Sequence, residues 1–239
     1  PYEDSPAYYE AFGAIAREAA GEAEPERLLG AGVSFPGILS AGGGIRSSHV
    51  LSLGESDGAP FLGAMPCRAL FCNDASAAGR AELWDRAGAQ NVVYLSLSNS
   101  VGGAILLGGR LYEGESLRAA EFGHMTLVPG GKRCYCGKEG CLDAYCAAGV
   151  LSEPYGGDLS AFFAALDRGE EKAAALWGGY LDSLACAVNS LHMALDCTVV
   201  LGGYVGAYMT PYMDALRARA GARDTFGGDG AYLEPCRYR

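Results

Sequence analysis

The first third of the chain alternates between helical and extended hydrophobic spacing. Apolar residues recur at helical spacing over residues 8–20 and stop at Gly21, which predicts an amphipathic helix. Residues 28–35 form a mostly apolar run closed by Pro36 and Gly37, which predicts a buried strand. Residues 40–66 are rich in glycine, serine and proline, and we expect them to be irregular.

A strand, polar turn and helix follow. Residues 69–72 predict a short strand that runs into Asn73 and Asp74, and the small residues of 75–87 predict a helix. Open α/β sheets bind ligands beyond the carboxyl ends of their strands, which is where Asp74 lies. A polar pair before a helix is also typical of a simple N-cap, so the spacing alone leaves both interpretations open.

The second half repeats this alternation. Buried strands are predicted over 91–98, 101–107 and 197–201, and helices over 159–167, 170–195 and 208–220. Turns are predicted at Ser98-Asn99-Ser100, Gly108-Gly109 and Gly202-Gly203. Strands that alternate with helices indicate an α/β fold.

The amino-acid composition limits the kinds of partner that the chain is expected to bind. The 239 residues include 18 Lys and Arg against 28 Asp and Glu, a net charge of −10, and 50% are apolar. An acidic chain does not collect phosphates, so we expect these residues neither to bind DNA by themselves nor to lie on an anionic membrane. The nine cysteines are too sparse for a disulfide framework, which favours a reducing cytoplasm. The chain begins at Pro1 without a methionine, so we expect a segment upstream of it.

Three cysteines and a histidine have the spacing of a metal site. His124 precedes Cys134, Cys136 and Cys141, and Gly137 and Gly140 lie between the sulfurs. Four N/S ligands favour tetrahedral zinc in a closed, structural site over residues 124–141. The alternative is three unliganded cysteines in a glycine-rich loop. We favour the metal because the loop has few apolar residues with which to form a core.

The remaining cysteines are interpreted as small buried hydrophobic residues, with Cys146 the nearest competing ligand. The other two histidines, His49 and His192, are interpreted as a surface and a helix residue.

The same region carries a family resemblance. Residues 120–125, Ala-Glu-Phe-Gly-His-Met, followed by Cys-x-Cys-Gly-x-x-Gly-Cys-Leu-Asp over 134–143, resemble the signature of the ROK family of repressors, open reading frames and sugar kinases. Residues 32–37, 73–75 and 201–203 resemble further segments of that family. The resemblance implies a two-lobed, actin/hexokinase-like (ribonuclease H-like) α/β fold. The remnant of the small lobe is expected over 1–88 and the large lobe over 89–239.

The resemblance also implies a sugar site. Asp74 is the general base if the protein is a kinase, and in a sensor it accepts hydrogen bonds from the sugar. Glu121 and His124 would contact sugar hydroxyls, with a solvated surface acid as the alternative for Glu121. The implied sugar contacts are Ser34, Asn73, Asp74, Glu121, His124 and Asp143. Asp143 stands where the family usually has glutamate, so its carboxylate is one methylene shorter.

Two functions remain open, an ATP-dependent sugar kinase and the effector domain of a sugar-responsive transcriptional regulator. The family's Asp-x-Gly-Gly-Thr phosphate loop is not found in these residues, and its Gly-Thr-Gly-x-Gly-Gly-Gly loop corresponds to 98–104, Ser-Asn-Ser-Val-Gly-Gly-Ala. Side chains at these positions would crowd phosphate oxygens, which favours the regulator. Weak nucleotide contacts are assigned to Gly102, Gly103, Gly202 and Gly203.

The partners follow from this assignment. The predicted ligand is a monosaccharide, a hexose or N-acetylhexosamine. ATP and magnesium are expected only for a kinase, and DNA binding only through a domain outside these residues. Both ends resemble truncated family members, and a cytoplasmic homodimer or tetramer is expected.

Overall fold

A computed structural model describes residues 2–22, 24–48, 51–84, 86 and 88–238. The chain divides into two compact units. The first comprises Pro1–Ala77 and Gly114–Arg118, and the second comprises Ala78–Glu113 and Ala119–Arg239. The division falls inside a helix and differs from the expected lobe boundary at 88/89, which stays a prediction. No helix within the described ranges is both long and apolar enough to cross a bilayer.

The elements of the first unit are short. In chain order they are α1 (Pro6–Gly21), β1 (Ala31–Phe35), β2 (Ile38–Leu39), β3 (Ile45–Ser47), α2 (Ala59–Gly63), β4 (Ala69–Asn73) and the start of α3 (Asp74–Trp84). Helix α1 begins where the sequence provides a cap, because the Ser5 hydroxyl accepts the backbone N–H of Tyr8 and Pro6 occupies the first turn.

Strands β1 and β4 are parallel and place the polar residues of the first unit at one end. Their register pairs Ser34 with Cys72 and Phe35 with Asn73. Phe35, Ile45 and Phe61 form the buried core beneath them. Ser34 and Asn73 therefore both lie near the carboxyl ends of these strands, but they are one position out of register, so alternation directs their side chains to opposite faces.

The second unit contains the rest of α3 and a five-stranded sheet with helices. Its further elements are β5 (Val92–Leu97), β6 (Val101–Leu107), β7 (Arg110–Leu111), α4 (Asp143–Cys146), α5 (Ala148–Ser152), α6 (Leu159–Asp167), α7 (Glu171–Leu195), β8 (Thr198–Gly202), α8 (Gly203–Gly206), α9 (Met213–Gly221) and β9 (Leu233–Pro235). The strand order is β7-β6-β5-β8-β9.

Alternation along the central strands gives this sheet two buried faces. Val93, Leu95 and Leu97 pack into the large core with α7, whereas Val92 and Tyr94 pack into a smaller cluster on the opposite face. Strand β5 is antiparallel to β6 and parallel to β8. Because β5 and β8 run in the same direction, the turns that follow them meet at one edge of the sheet.

Several expectations from the sequence need correction. Residues 40–66 were expected to be irregular, but they contain β3 and α2. The helix expected from residue 208 begins at Met213, after a 3₁₀ turn over Thr210–Tyr212, since Pro211 lacks an N–H and restricts the residue before it. Strand β9 was not expected because only Leu233 is buried there, and it is recruited by parallel pairing with β8. The helix predicted over 75–87 is α3, which ends at Trp84, and Arg86 is not helical. Residues 85 and 87 lie outside the described residues, as does His49.

Candidate functional site

The four predicted metal ligands converge in the second unit. One ligand atom from each of His124, Cys134, Cys136 and Cys141 lies within 4.8 Å of the others. The sulfurs of Cys136 and Cys141 are 3.8 Å apart. Such a group of three sulfurs and one imidazole is the donor set that tetrahedral zinc prefers.

Local backbone bonds bring these ligands together. The N–H of Cys134 donates to the carbonyl of Lys138 at 2.8 Å, and a bridge pairs Thr126 with Cys141. Gly140 has a φ of +81°, and a Cβ there would lie 1.8 Å from the carbonyl oxygen of Val128. Only glycine fits at this position, so the glycine spacing in the motif has a steric cause.

The histidine supplies an independent sign that a metal fits. Nδ1 of His124 is buried and has no hydrogen-bond partner among the described residues. A buried ring nitrogen without a partner is costly, and a metal ion satisfies it. Burial raises the pKa of the Cys134 thiol to about 12, which is the desolvation a bound cation offsets. Cys146 lies in the core of this unit, outside the ligand cluster.

Asp143 follows the last predicted metal ligand, Cys141, by two residues. It is 6% exposed at the start of α4, and its Oδ1 accepts the N–H of Val101 at 2.6 Å. Burial raises the pKa of this carboxyl group, while the Val101 N–H and the charge of His124 act in the opposite direction. Asp143 therefore joins the start of β6 to α4, and its contact with a sugar stays a prediction.

Glu121 is exposed and precedes the 3₁₀ helix Phe122–His124. Gly123 lets this turn approach β6, because a Cβ would lie 2.3 Å from the carbonyl oxygen of Val101. Glu121 and His124 are thus held on one turn against the sheet.

The first unit presents Asp74 beside a capped helix. Asn73 Oδ1 accepts the N–H of Ser76 at 3.0 Å, and its Nδ2 donates to the carbonyl of Gly37 at 3.0 Å. Asn73 therefore acts as the N-cap that the sequence left open. Asp74 is exposed, and its Oδ1 accepts the Ala75 N–H at 2.9 Å. Loss of hydration raises the pKa of Asp74 above its usual 3.8.

A cavity of about 820 Å³ opens in the second unit at the edge where β5 and β8 end. Ser98 and Gly203 line it, together with the rings of Tyr94, Tyr204 and Tyr208. Gly203 has a φ of +77°, and a Cβ there would lie 2.6 Å from Ser98 Oγ. Tyr204 is 59% exposed, so its ring is open to a ligand.

Two of the other glycines assigned to nucleotide binding pack closely against aromatic side chains. A Cβ on Gly103 would lie 2.3 Å from the ring of Phe122, and one on Gly202 would lie 2.2 Å from the hydroxyl of Tyr94. Ala104 is buried in the smaller core, so its methyl group does not crowd the cavity as the sequence comparison suggested. Gly102 is half-buried within β6.

The cavity's tyrosines and the buried Glu82 were not predicted. Glu82 is 1% exposed, and its Oε1 accepts the N–H groups of Arg237 and Tyr238, which lie more than 150 positions away in sequence. No local spacing could reveal that contact.

Known proteins resemble this chain in sequence and in fold. Residues 8–222 match the ROK family. The chain belongs to the ROK family. The actin/hexokinase-like fold expected for a ROK protein is confirmed by a ROK hexokinase from Thermus thermophilus, which is 30% identical with a TM-score of 0.77, the match covering 98% of this chain and 81% of that one.

Proteins similar to this chain include both a sugar kinase and a transcriptional regulator. An N-acetylmannosamine kinase of Escherichia fergusonii is 35% identical over 141 residues, which cover 56% of this chain and 48% of the relative. The chain thus spans about half the length of the curated relatives it matches. A ROK family transcriptional regulator, a homolog of the E. coli MLC protein, shares the fold with a TM-score of 0.77 at 19% identity, covering 95% of this chain and 62% of that one.

Proposed function

We propose that this chain carries the sugar-binding and phosphoryl-transfer region of an ATP-dependent sugar kinase. The cavity at Ser98 and Gly203 carries the proposal. Its volume of about 820 Å³ lies within the range of roughly 300–1,000 Å³ typical of ligand pockets. The exposed ring of Tyr204 provides an aromatic face for a base. The ROK hexokinase at 30% identity and the N-acetylmannosamine kinase at 35% support the same assignment.

Asp74 is the proposed general base. One oxygen of its carboxylate is held by the Ala75 N–H at 2.9 Å, which orients the group at the end of β4. The carboxylate takes the proton from a sugar hydroxyl as that oxygen attacks the terminal phosphate of ATP. A raised pKa brings Asp74 nearer to the range in which it both accepts and returns a proton.

The remaining predicted residues are proposed to bind the monosaccharide. Ser34 and Asn73 offer hydroxyl and amide groups, and Glu121, His124 and Asp143 offer acceptors or an imidazole. His124, Cys134, Cys136 and Cys141 would hold zinc, whose chemistry here is structural since four protein ligands close its coordination shell. The proposed ligand is a hexose or N-acetylhexosamine, because hydroxyl, amide, imidazole and carboxylate groups all form hydrogen bonds with hydroxyl or amide groups.

A second candidate is the effector domain of a regulator. It is favoured by Ser98-Asn99-Ser100, where the kinases' loop has glycine and threonine, since Ser98 reaches into the cavity. In that case Asp74 only accepts hydrogen bonds from the sugar, and a separate domain binds DNA. A cytoplasmic location and a homodimer or tetramer stay predictions for either candidate.

The two candidates differ in turnover. The full-length protein would be given ATP, magnesium and a panel of glucose, N-acetylglucosamine and N-acetylmannosamine in a coupled assay, with calorimetry on the same sugars. We expect turnover of roughly 1–1,000 per second on one of them. Sugar binding without turnover would contradict the kinase and support the regulator.

Replacing the base separates the roles of Asp74. We expect Asp74→Asn to lower turnover by about 10²–10⁴-fold, because the amide cannot accept the proton. Turnover of the unchanged protein should fall as the pH drops through a pKa above 3.8, and the variant should lose that inflection. Asp57→Asn is the matched control, since Asp57 Oδ1 also accepts a backbone N–H, that of Ala59, at 2.8 Å. Equal losses in both variants would reject Asp74 as the base.

A further inference from the structure

The buried carboxylate of Glu82 contacts the segment that follows β9. Glu82 lies on α3, in the part of that helix that belongs to the second unit, and is 1% exposed. Its Oε1 accepts the backbone N–H of Arg237 at 2.8 Å and that of Tyr238 at 3.0 Å. Hydrogen bonds to a carboxylate are charge-assisted and stronger than those to a neutral acceptor. Glu82 therefore fixes the last described residues of the chain to α3.

Arg86 satisfies the second oxygen of this carboxylate. Arg86 is 7% exposed, and its Nη2 donates to Oε2 of Glu82 at 3.1 Å and to the carbonyl oxygen of Pro235 at 3.0 Å. Its Nη1 forms an ion pair with the carboxylate of Glu234. A buried charge is tolerated when it is paired and hydrogen-bonded, and both oxygens of Glu82 meet that condition. The two side chains thus hold residues 234–238 at both ends of the segment.

Pairing within the sheet stops before the end of this segment. Strand β9 ends at Pro235, and the next N–H, that of Cys236, still donates to a carbonyl of β8 at 2.9 Å. Arg237 and Tyr238 belong to no strand or helix. Pairing with β8 therefore sets the direction in which the segment leaves the sheet, and the contacts with Glu82 set where Tyr238 lies.

Tyr238 forms part of the wall of the cavity of about 820 Å³. Tyr204 and Tyr208 line the same cavity, and all of its described lining residues belong to the second unit. Tyr238 is 49% exposed, so it is accessible to a ligand. Aromatic side chains stack on nucleic bases of every kind, because every base has a π face. The segment thus brings a further aromatic residue to the place proposed for the nucleotide.

We propose that Glu82 is a positioning residue, which holds the ring of Tyr238 where it stacks on the base of a nucleotide bound in this cavity. The inference rests on the proposed function, since it takes ATP as the ligand, and it adds the residue that recognises the base. It depends neither on the sugar nor on the zinc. Glu82 itself does not touch the nucleotide in this proposal, and it acts through Tyr238.

Variants of Tyr238 test the ring. Calorimetry would measure the binding of ATP to the full-length protein, with sugar binding measured on the same samples. We expect Tyr238→Ala to weaken ATP binding by about 5–150-fold, and Tyr238→Phe to stay within about twofold because it retains the ring. Sugar affinity should not change. Tyr112→Ala is the control, because Tyr112 is also exposed, at 53%, and does not line the cavity.

Replacing Glu82 tests the positioning. In Glu82→Gln the single amide oxygen can face Arg86 or the two N–H groups but not both, so we expect ATP binding to weaken about tenfold. Hydrogen–deuterium exchange should become faster at the N–H groups of Arg237 and Tyr238. Glu234→Gln is the matched control, because it also removes an ion pair with Arg86 but leaves both N–H bonds in place, and its affinity for ATP should stay unchanged.

A double variant distinguishes positioning from a general loss of stability. If Glu82 acts through Tyr238, Glu82→Gln should weaken ATP binding no further in a protein that already carries Tyr238→Ala. A purely structural role of Glu82 would instead weaken binding by the same factor with or without the ring, so the two losses would multiply.

Three outcomes overturn the inference: unchanged ATP binding in Tyr238→Ala, unchanged ATP binding in Glu82→Gln, or multiplied losses in the double variant. Losses of the same size in Tyr112→Ala or Glu234→Gln would also reject it. An unchanged protein that binds no ATP would overturn the proposed function and this inference together. Binding of ATP without turnover, with the expected losses in the variants, would reject the kinase and leave the inference standing.

Discussion

The predicted metal-binding loop, residues 124–141, and the cavity at Ser98 and Gly203 are built in opposite ways. All four donors of the loop lie within residues 124–141, and short-range backbone bonds hold them. The cavity draws on residues as distant as Ala78 and Tyr238, and its shape depends on the parallel pairing of β5 with β8. The spacing of residues in the sequence therefore predicts the local site, whereas it does not predict a cavity that is assembled by strand pairing.

The two regions also differ in what supports them. Strands β5 and β8 are buried on both faces, so the cavity is backed by packed side chains. Much of the loop between His124 and Cys141 is exposed, so we expect its stability to depend on a bound metal. Removing one ligand should therefore disturb the loop more than removing one atom disturbs the cavity.

The largest effect is expected from a metal ligand. Cys141→Ser should reduce the zinc content from one per chain to well under one, measured by elemental analysis. Zinc present at a thousand times its dissociation constant stabilises a fold by about 4.1 kcal/mol. Since 1 kcal/mol shifts Tm by roughly 2–4 °C in a chain of about this size, we expect a loss of about 8–16 °C.

Cys67→Ser is the matched control. Cys67 is half-buried and lies outside the ligand cluster, so it should keep zinc and stability. If both variants held a full zinc ion, the ligand assignment would fail. If neither the unchanged protein nor Cys67→Ser held zinc, the centre itself would be absent.

Individual strands and helices could be predicted from the sequence for the same reason as the loop. The pattern over 101–107 matches β6, and 159–167 matches α6, because periodicity is a property of neighbouring residues. The order of the strands could not be predicted from the sequence. Ala104 can be aligned with a phosphate loop by sequence, but the alternation of side chains along β6 directs its methyl group into the smaller core.

In the candidate site, too, the sequence predicts the local features but not the long-range contacts. The sequence predicted four metal ligands by number, and the structure brings their donor atoms within 4.8 Å of one another. The hydrogen bond from the Val101 N–H to Asp143 spans 42 positions, and the contact between His124 and Tyr135 needs the loop already closed. The sequence spacing singled out Asp143 and His124, but it did not indicate Val101 or Tyr135 as their partners.

A smaller effect is expected at the cavity edge. Gly203→Ala would place a Cβ 2.6 Å from the backbone nitrogen of Leu97, at a φ of +77°. Left-handed strain and overpacking each cost about 1–3 kcal/mol, so we expect a loss of about 3 kcal/mol in the free energy of unfolding. Urea denaturation measures it, and nucleotide binding should weaken in the same variant.

Gly169→Ala separates the two costs. Gly169 has a φ of +74°, but a Cβ added there would meet no described atom within 4 Å beyond its chain neighbours. Only the strain of about 1–3 kcal/mol should therefore remain, near the low end of that range. Equal losses of stability at Gly203 and Gly169 would show that the close approach of Gly203 to the backbone of Leu97 does not contribute to the cost of the substitution.

The smallest effect concerns the hydroxyl that distinguishes this turn from the kinases' glycine loop. Ser98 Oγ accepts the N–H of Tyr204 at 3.4 Å, a long bond, so Ser98→Gly should cost under about 1 kcal/mol from that contact. If phosphates approach the β5 turn, removing the side chain lets backbone N–H groups come closer, and KM for ATP should fall by no more than about tenfold, or 1.4 kcal/mol.

Ser100→Gly is the control, because Ser100 lies in the same turn but does not line the cavity. A lower KM in Ser98→Gly alone would place the phosphates at this turn. Equal KM values in both variants would remove Ser98 from nucleotide recognition, and the cavity would then serve another ligand.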